Sequence, residues 1–189
     1  MPLNYRQIAN IAITYKTLFW EFLERDDGPN PSMNSIPYIV NASLACEMYM
    51  KALIVYFDPT CTERQLKKWR HDLYVLFNQL PNNIKNRIKI NIPDSEIKSR
   101  YDKLISDYNK AIQDSRTTSE HKKDIKKIIS NPNPPVTFDA ILSQHKDTYV
   151  EWRYLYGNDG SKIKSCDEWF LASFIMELHN TMVGILSVN

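Results

Sequence analysis

The apolar positions of this chain recur with a helical period almost throughout. Tyr5, Ile8, Ile11, Ala12, Tyr15, Leu18, Phe19 and Phe22 fall on one face at 3.6 residues per turn, which predicts an amphipathic helix over residues 4–25. The turn formers of residues 26–35 (DDGPNPSMNS) end it. Pro37 fits the first turn of the next helix, where its missing N–H costs nothing. Residues 41–57 (NASLACEMYMKALIVYF) are apolar almost all the way round, the pattern of a helix buried on most of its circumference. A membrane span is the competing reading. The run is shorter than the roughly 20 residues needed and carries charges near its middle, so a core helix is expected.

Asp58-Pro59 stops that helix, and residues 60–70 read as a polar, mostly basic connector. Leu73, Leu76, Phe77 and Leu80 predict a short helix with Asp72 as its N-cap and Pro81 as its stop. In residues 82–92, Ile84 and Ile88 suit a helix while Ile88, Ile90 and Ile92 suit a strand. No second strand is available for pairing, so a short helix is expected. Asp94 is read as the cap of a long helix carrying Ile97, Tyr101, Leu104, Ile105, Tyr108 and Ile112, whose narrow stripe places it on the outside. Residues 113–135 are the least core-like and read as a mobile insertion. Phe138, Ile141, Leu142, His145, Tyr149, Trp152 and Tyr156 share the face of one continuous helix opened by Thr137 and closed at Gly157. A capping-box spacing at residues 165–168 (SCDE) opens a last, strongly apolar helix. The pattern as a whole predicts an all-α protein, residues 1–189 forming one domain. Its architecture is an up-and-down bundle of about four to five long helices with short accessory helices, the cores at 41–57 and 167–186.

Composition sharpens this picture at three points. Only 4 of 189 residues are glycine, so few left-handed turns are available and long helices are favoured. The formal net charge of +2 is too small to argue for a nucleic-acid partner by itself. Cys46, Cys61 and Cys166 are odd in number and lack CxxC spacing, which argues for a reducing compartment and against a disulfide framework or zinc site. The N-terminus lacks the layout of a signal peptide, and a cytoplasmic protein without membrane attachment is expected. No glycine-rich phosphate loop, HExxH or GxSxG occurs, so neither cofactor nor metal is expected.

The candidate chemistry lies in a few polar groups set among apolar ones. Ser43, Glu47 and Lys51 are four residues apart and form one narrow stripe on the apolar helix. An unpaired buried charge costs several kcal/mol, so Glu47 and Lys51 need partners. They either hold helix register or place a carboxylate and a cation in a cleft for acid–base work or phosphate binding. His71 precedes the cap Asp72. It either packs there or meets Glu47 as an acid, base or phosphate donor. Arg153, flanked by Tyr149 and Tyr156, presents a fork suited to a carboxylate or a phosphate. Energetics then predicts that Glu47, Lys51, His71 and Arg153 converge in space from three segments, with Asp72 and Tyr156 beside them. His145 and His179 lie on apolar helices and read as core histidines. Lys122, Lys123, Lys126 and Lys127 read as a solvated face or as a nucleic-acid patch.

In combination, SLACEMYMKALI, HDLYVLFNQL and TFDAILSQHKDTYVEWRYLYG resemble the HEPN superfamily of small all-helical proteins. Its prokaryotic branch has an E-x-x-x-K-A-L helix, then His-Asp-Leu, then W-R-Y-x-Y; here these are 47–53, 71–73 and 152–156. The resemblance spans about residues 35–186. It implies a helical bundle, frequent homodimerisation, and ties to RNA cleavage in toxin–antitoxin and antiphage systems. An antitoxin or nucleotidyltransferase partner, and RNA or a nucleotide as ligand, follow from the same resemblance. The ribonucleases of that superfamily share an R-x(4–6)-H motif on one helix. After Arg153 this chain reads YLYGNDGSK, with no histidine in reach. Arg116 and His121 satisfy the bare spacing, but in the polar 113–135 segment. Two functions are therefore expected: a non-catalytic module that dimerises and binds a partner, or a metal-independent ribonuclease. The second would use His71 with Arg153 and Glu47, or Arg116 with His121.

Overall fold

The computed structural model describes residues 3–24, 31–114, 118–119, 122–123, 134–149 and 167–187, the side chains of 31–36 excepted. Among these residues the regular structure is entirely α-helical, as the sequence pattern predicts. The elements are α1 (Tyr5–Glu24), α2 (Pro31–Phe57), α3 (Glu63–Lys68), α4 (Leu73–Gln79), α5 (Asn82–Asn91), α6 (Asp94–Gln113), α7 (Phe138–Gln144) and α8 (Glu168–Leu186). Of these described helices four are long and four are short, in keeping with an all-α bundle.

The bundle is assembled around α2. Its residues Ile39, Ala42, Ala45, Cys46, Tyr49, Met50, Ala52 and Leu53 are buried. On α1, Ala9 and Ala12 are wholly buried small side chains that let the axis approach α2 closely. Tyr5 meets Tyr56 edge-on at 5.2 Å, and Phe19 meets Tyr38 at 6.2 Å, so α1 runs antiparallel to α2. The hydroxyl of Tyr38 bonds Glu168, and that of Tyr49 bonds His179, so α8 runs parallel to α2. Phe77, Phe138, Phe170 and Phe174 interlock at centroid distances of 5.0–5.8 Å and join α4 and α7 to α8. On α6 only Ile97 is buried, which leaves this helix on the periphery.

Several local expectations need correction. The second helix begins at Pro31, not in the turn of Pro37; Pro31 takes the first helical position, and Pro37 lies inside the helix. The connector 60–70 contains α3, opened by a full capping box in which Thr62 and Gln65 satisfy each other's backbone amides. Asp94 caps no turn of its own helix. Its carboxylate accepts the Phe138 amide at 2.7 Å, tying the start of α7 to α6. Asp167 is the N-cap of α8, accepting from the Phe170 amide at 2.8 Å; Ser165 lies outside the described residues.

The helix expected from Thr137 to Tyr156 is interrupted after Gln144 by a turn at 145–147. Tertiary hydrogen bonds explain the break. The Leu73 amide donates to the Lys146 carbonyl at 3.3 Å, and the Asp167 amide donates to His145 Nε2 at 3.1 Å. With Nε2 accepting, Nδ1 carries the proton and donates to Thr148 Oγ1 at 3.1 Å. The buried ring stacks on Phe170. His145 is thus a neutral core histidine that pins the turn to α8.

Burial holds the His145 imidazole down to about 4 from its ordinary 6.5. Its contribution to stability is complete above pH 6.5. Below that the unfolded chain takes up a proton that the folded chain refuses, until about pH 4. We predict that this residue alone removes about 2 kcal/mol of stability between pH 7.5 and pH 5. Urea midpoints of the wild type and His145→Gln at both pH values check it, and the wild type should lose more.

Candidate functional site

Three of the four residues expected to converge do so. Glu47 is 1% exposed, on the face of α2 turned toward the α4 entry. Lys51, one turn later, donates to Glu47 Oε1 at 2.5 Å. His71, just before α4, donates from Nδ1 to Glu47 Oε2 at 2.7 Å. Both carboxylate oxygens are therefore engaged by cationic or cation-capable donors, which satisfies a charge that the apolar surroundings would otherwise penalise. Ser43, the third residue of the stripe, turns its hydroxyl back to the Ile39 carbonyl at 3.0 Å and takes no part.

Local sequence explains the placement of His71. Asp72 adopts an extended conformation and caps α4 through the Val75 amide at 2.9 Å. Leu73, Leu76 and Phe77 bury the helix behind it. Arg70, just before His71, has φ of 49°, the left-handed region that a residue with a Cβ rarely visits. That reversal turns the chain from α3 into α4 and brings the imidazole back over α2. The His71 ring packs against Tyr149 at 4.4 Å and stays 37% exposed. The turn at 145–147, whose Lys146 carbonyl receives the Leu73 amide, sets Tyr149 in that position.

The remaining candidates divide plainly. Asp72 belongs to the helix cap, one residue from the cluster. Arg153, Tyr156, Arg116, His121, Lys126 and Lys127 lie outside the described residues. Lys122 and Lys123 are described, the first half-buried and the second exposed. His179 is a structural histidine, as expected: its Nδ1 meets the buried Tyr49 hydroxyl at 2.9 Å. Burial, then the charge of Lys16, lowers its pKa, while burial and the neighbouring Cys46 raise that of Tyr49. Cys46 and Cys61 are buried free thiols. No group of three or more His, Cys, Asp or Glu among the described residues could hold a metal ion.

Sequence reasoning passed over α3. It presents Arg64, Lys67 and Lys68, all exposed, directly ahead of exposed Arg70 and His71. The signal was available as four basic residues in seven, within a connector that reads as polar and mostly basic. Among the described residues two helices are long and apolar enough to cross a membrane: 37–57, whose most apolar stretch is 72% buried, and α8, where the figure is 39%. Compared with protein-family models, curated proteins and solved structures, the chain matches none.

The geometry predicts an asymmetry between the two ends of the Glu47–Lys51 pair. Lys51→Met leaves a carboxylate in the core with one partner and should cost about 3 kcal/mol. Glu47→Gln keeps the shape and leaves Lys51, 14% exposed, a path to water; it should cost roughly half as much. Urea unfolding at pH 7.5 measures both, and equal losses would contradict the assignment of Glu47 as the buried charge.

Proposed function

We propose that this chain is a HEPN-like helical module that dimerises and binds a partner, as in prokaryotic defence or toxin–antitoxin systems. The observation that carries the reading is the state of Glu47: almost wholly buried, with both oxygens occupied. Such a carboxylate fixes the α4 entry on α2 and is withdrawn from solvent, which suits a structural anchor better than an acid–base group. The apolar surface of α8 supports the binding half of the proposal. Met176 and Val183, one heptad apart on one face, are 37% and 44% exposed. A run of exposed apolar residues on one face is the usual mark of an interaction surface.

The second reading, a metal-independent ribonuclease, draws on one feature. His71 is held at Nδ1 by a carboxylate while its ring stays partly exposed, an arrangement that orients an imidazole for proton transfer.

Light scattering at tens of micromolar protein is predicted to give twice the chain mass. Met176→Glu with Val183→Glu should shift it to one chain mass with an unchanged helical circular dichroism spectrum. Incubation with single-stranded RNA in EDTA should leave the RNA intact. A monomer at all concentrations would defeat the module reading, and cleavage lost in His71→Gln would transfer support to the ribonuclease.

A further inference from the structure

The outer side of α8 holds a concave site that neither the Glu47 cluster nor the bundle core uses. A cleft of about 380 Å³ opens over the helix between Trp20 of α1 and the C-terminal end of α5. The sequence of α8 makes the hollow. Ala172 and Ser173 are small, while Trp169 and Met176 rise one turn before and one turn after them, and all four line the cleft. The indoles are held in place from outside it. Trp20 meets Phe19 edge-on at 4.9 Å. The Arg100 guanidinium lies over the Trp169 ring at 3.9 Å but does not line the cleft, so it steadies the ring without filling the space.

Charge is the second, independent observation. Glu177 lines the same cleft and is half-buried. Its Oε2 accepts from Asn91 Nδ2 at 2.7 Å, a neutral donor that orients the carboxylate and leaves its charge uncompensated. No cation lies within ion-pair distance of it among the described residues. Those of the neighbouring helices are engaged elsewhere, Arg100 with Glu96 at 3.5 Å and Lys89 with Asp139 at 2.6 Å. Lys16, one turn before Trp20, acts on His179 and makes no pair with Glu177. An oriented carboxylate alone attracts any cation. Set beside two indoles and a thioether, it favours one whose charge is spread over methyl groups, because π faces attract such a charge and apolar walls bury its methyls. A hydrated metal ion would gain nothing from those walls.

We propose that the α8 cleft binds an organic cation of the alkylammonium class, its charge set against Glu177 and its methyl groups against Trp20, Trp169 and Met176. The volume suits a small molecule of this kind. The inference goes beyond the module reading and does not require it.

Choline is the probe, and its neutral isostere with carbon in place of nitrogen is the control. Both are followed by NMR through the indole N–H resonances of Trp20 and Trp169, with Trp69, which does not line the cleft, as the reference. Choline should shift both signals saturably, and the isostere should bind at least about fivefold more weakly, a comparison that needs no variant. Glu177→Gln keeps an acceptor for Asn91 and removes the charge, so it should bring choline down to the affinity of its isostere. Circular dichroism shows that the variant is folded. Light scattering on the same samples reads the oligomeric state, so a failed dimer reading is recognised separately. Val183→Glu, outside the cleft, repeats the titration with the exposed α8 row disrupted, in case the row is covered by a second copy. Absence of a saturable shift in both the wild type and Val183→Glu overturns the proposal. So does equal affinity for choline and its isostere, or equal choline affinity of the wild type and folded Glu177→Gln.

Discussion

The arrangement of this protein depends on one buried carboxylate. Glu47 lies in the middle of the most enclosed helix, and a charge there is tolerable only if its oxygens are met by donors of suitable charge and direction. Lys51 meets one oxygen from the same helix, which places no demand on the fold. His71 meets the other from a different segment, and this bond dictates where α4 enters. The left-handed Arg70, the Asp72 cap and the Lys146 carbonyl that receives the Leu73 amide all serve the same reversal. Tyr149 is brought onto the imidazole by the same turn. Polar bonds of this kind specify one packing among several that the apolar residues alone would allow.

The wider bundle adds apolar area rather than direction. The helices α1 and α8 flank α2 on opposite senses, antiparallel and parallel. Their contacts are alanines, rings and two tyrosine hydroxyl bonds. Phenylalanines from three helices close the far side, with His145 stacked beside them as a neutral imidazole. The helix α6 contributes little to the core, and Lys98, Arg100 and Lys110 pair with acids along its own length. Arg100 also lies over the Trp169 ring at 3.9 Å, which fastens α6 to α8.

Much of this was legible in the sequence because local pattern and burial agreed. Glu47 and Lys51 at helical spacing inside an apolar run require partners; Arg153 read as the carboxylate's fork and His71 as a further member of the cluster, and it is His71 that the structure places on Glu47. Asp72 announced its cap by type and position. The misreadings have physical causes. Asp94 has the chemistry of a cap and acts as one, but for a helix 44 residues away, which no local pattern reveals. The break after Gln144 is hidden because the apolar period continues through it, while two long-range hydrogen bonds decide the backbone. The capping box at Thr62 and Gln65 was readable, yet a helix of 6 residues has too few apolar positions to show a period. Arg153 and the later aromatic motif lie outside the described residues, so the cluster is established for Glu47, Lys51 and His71.

The central claim is that Glu47 and His71 are energetically coupled, the carboxylate and the imidazole each relying on the other. A double-mutant cycle in urea at pH 7.5, built from Glu47→Gln, His71→Gln and the double variant, measures that coupling directly. The account predicts a coupling energy of about 1 kcal/mol, discounted from the buried-pair range because the imidazole is 37% exposed. Strictly additive losses would contradict it, since the α4 entry would then be held by its apolar residues alone.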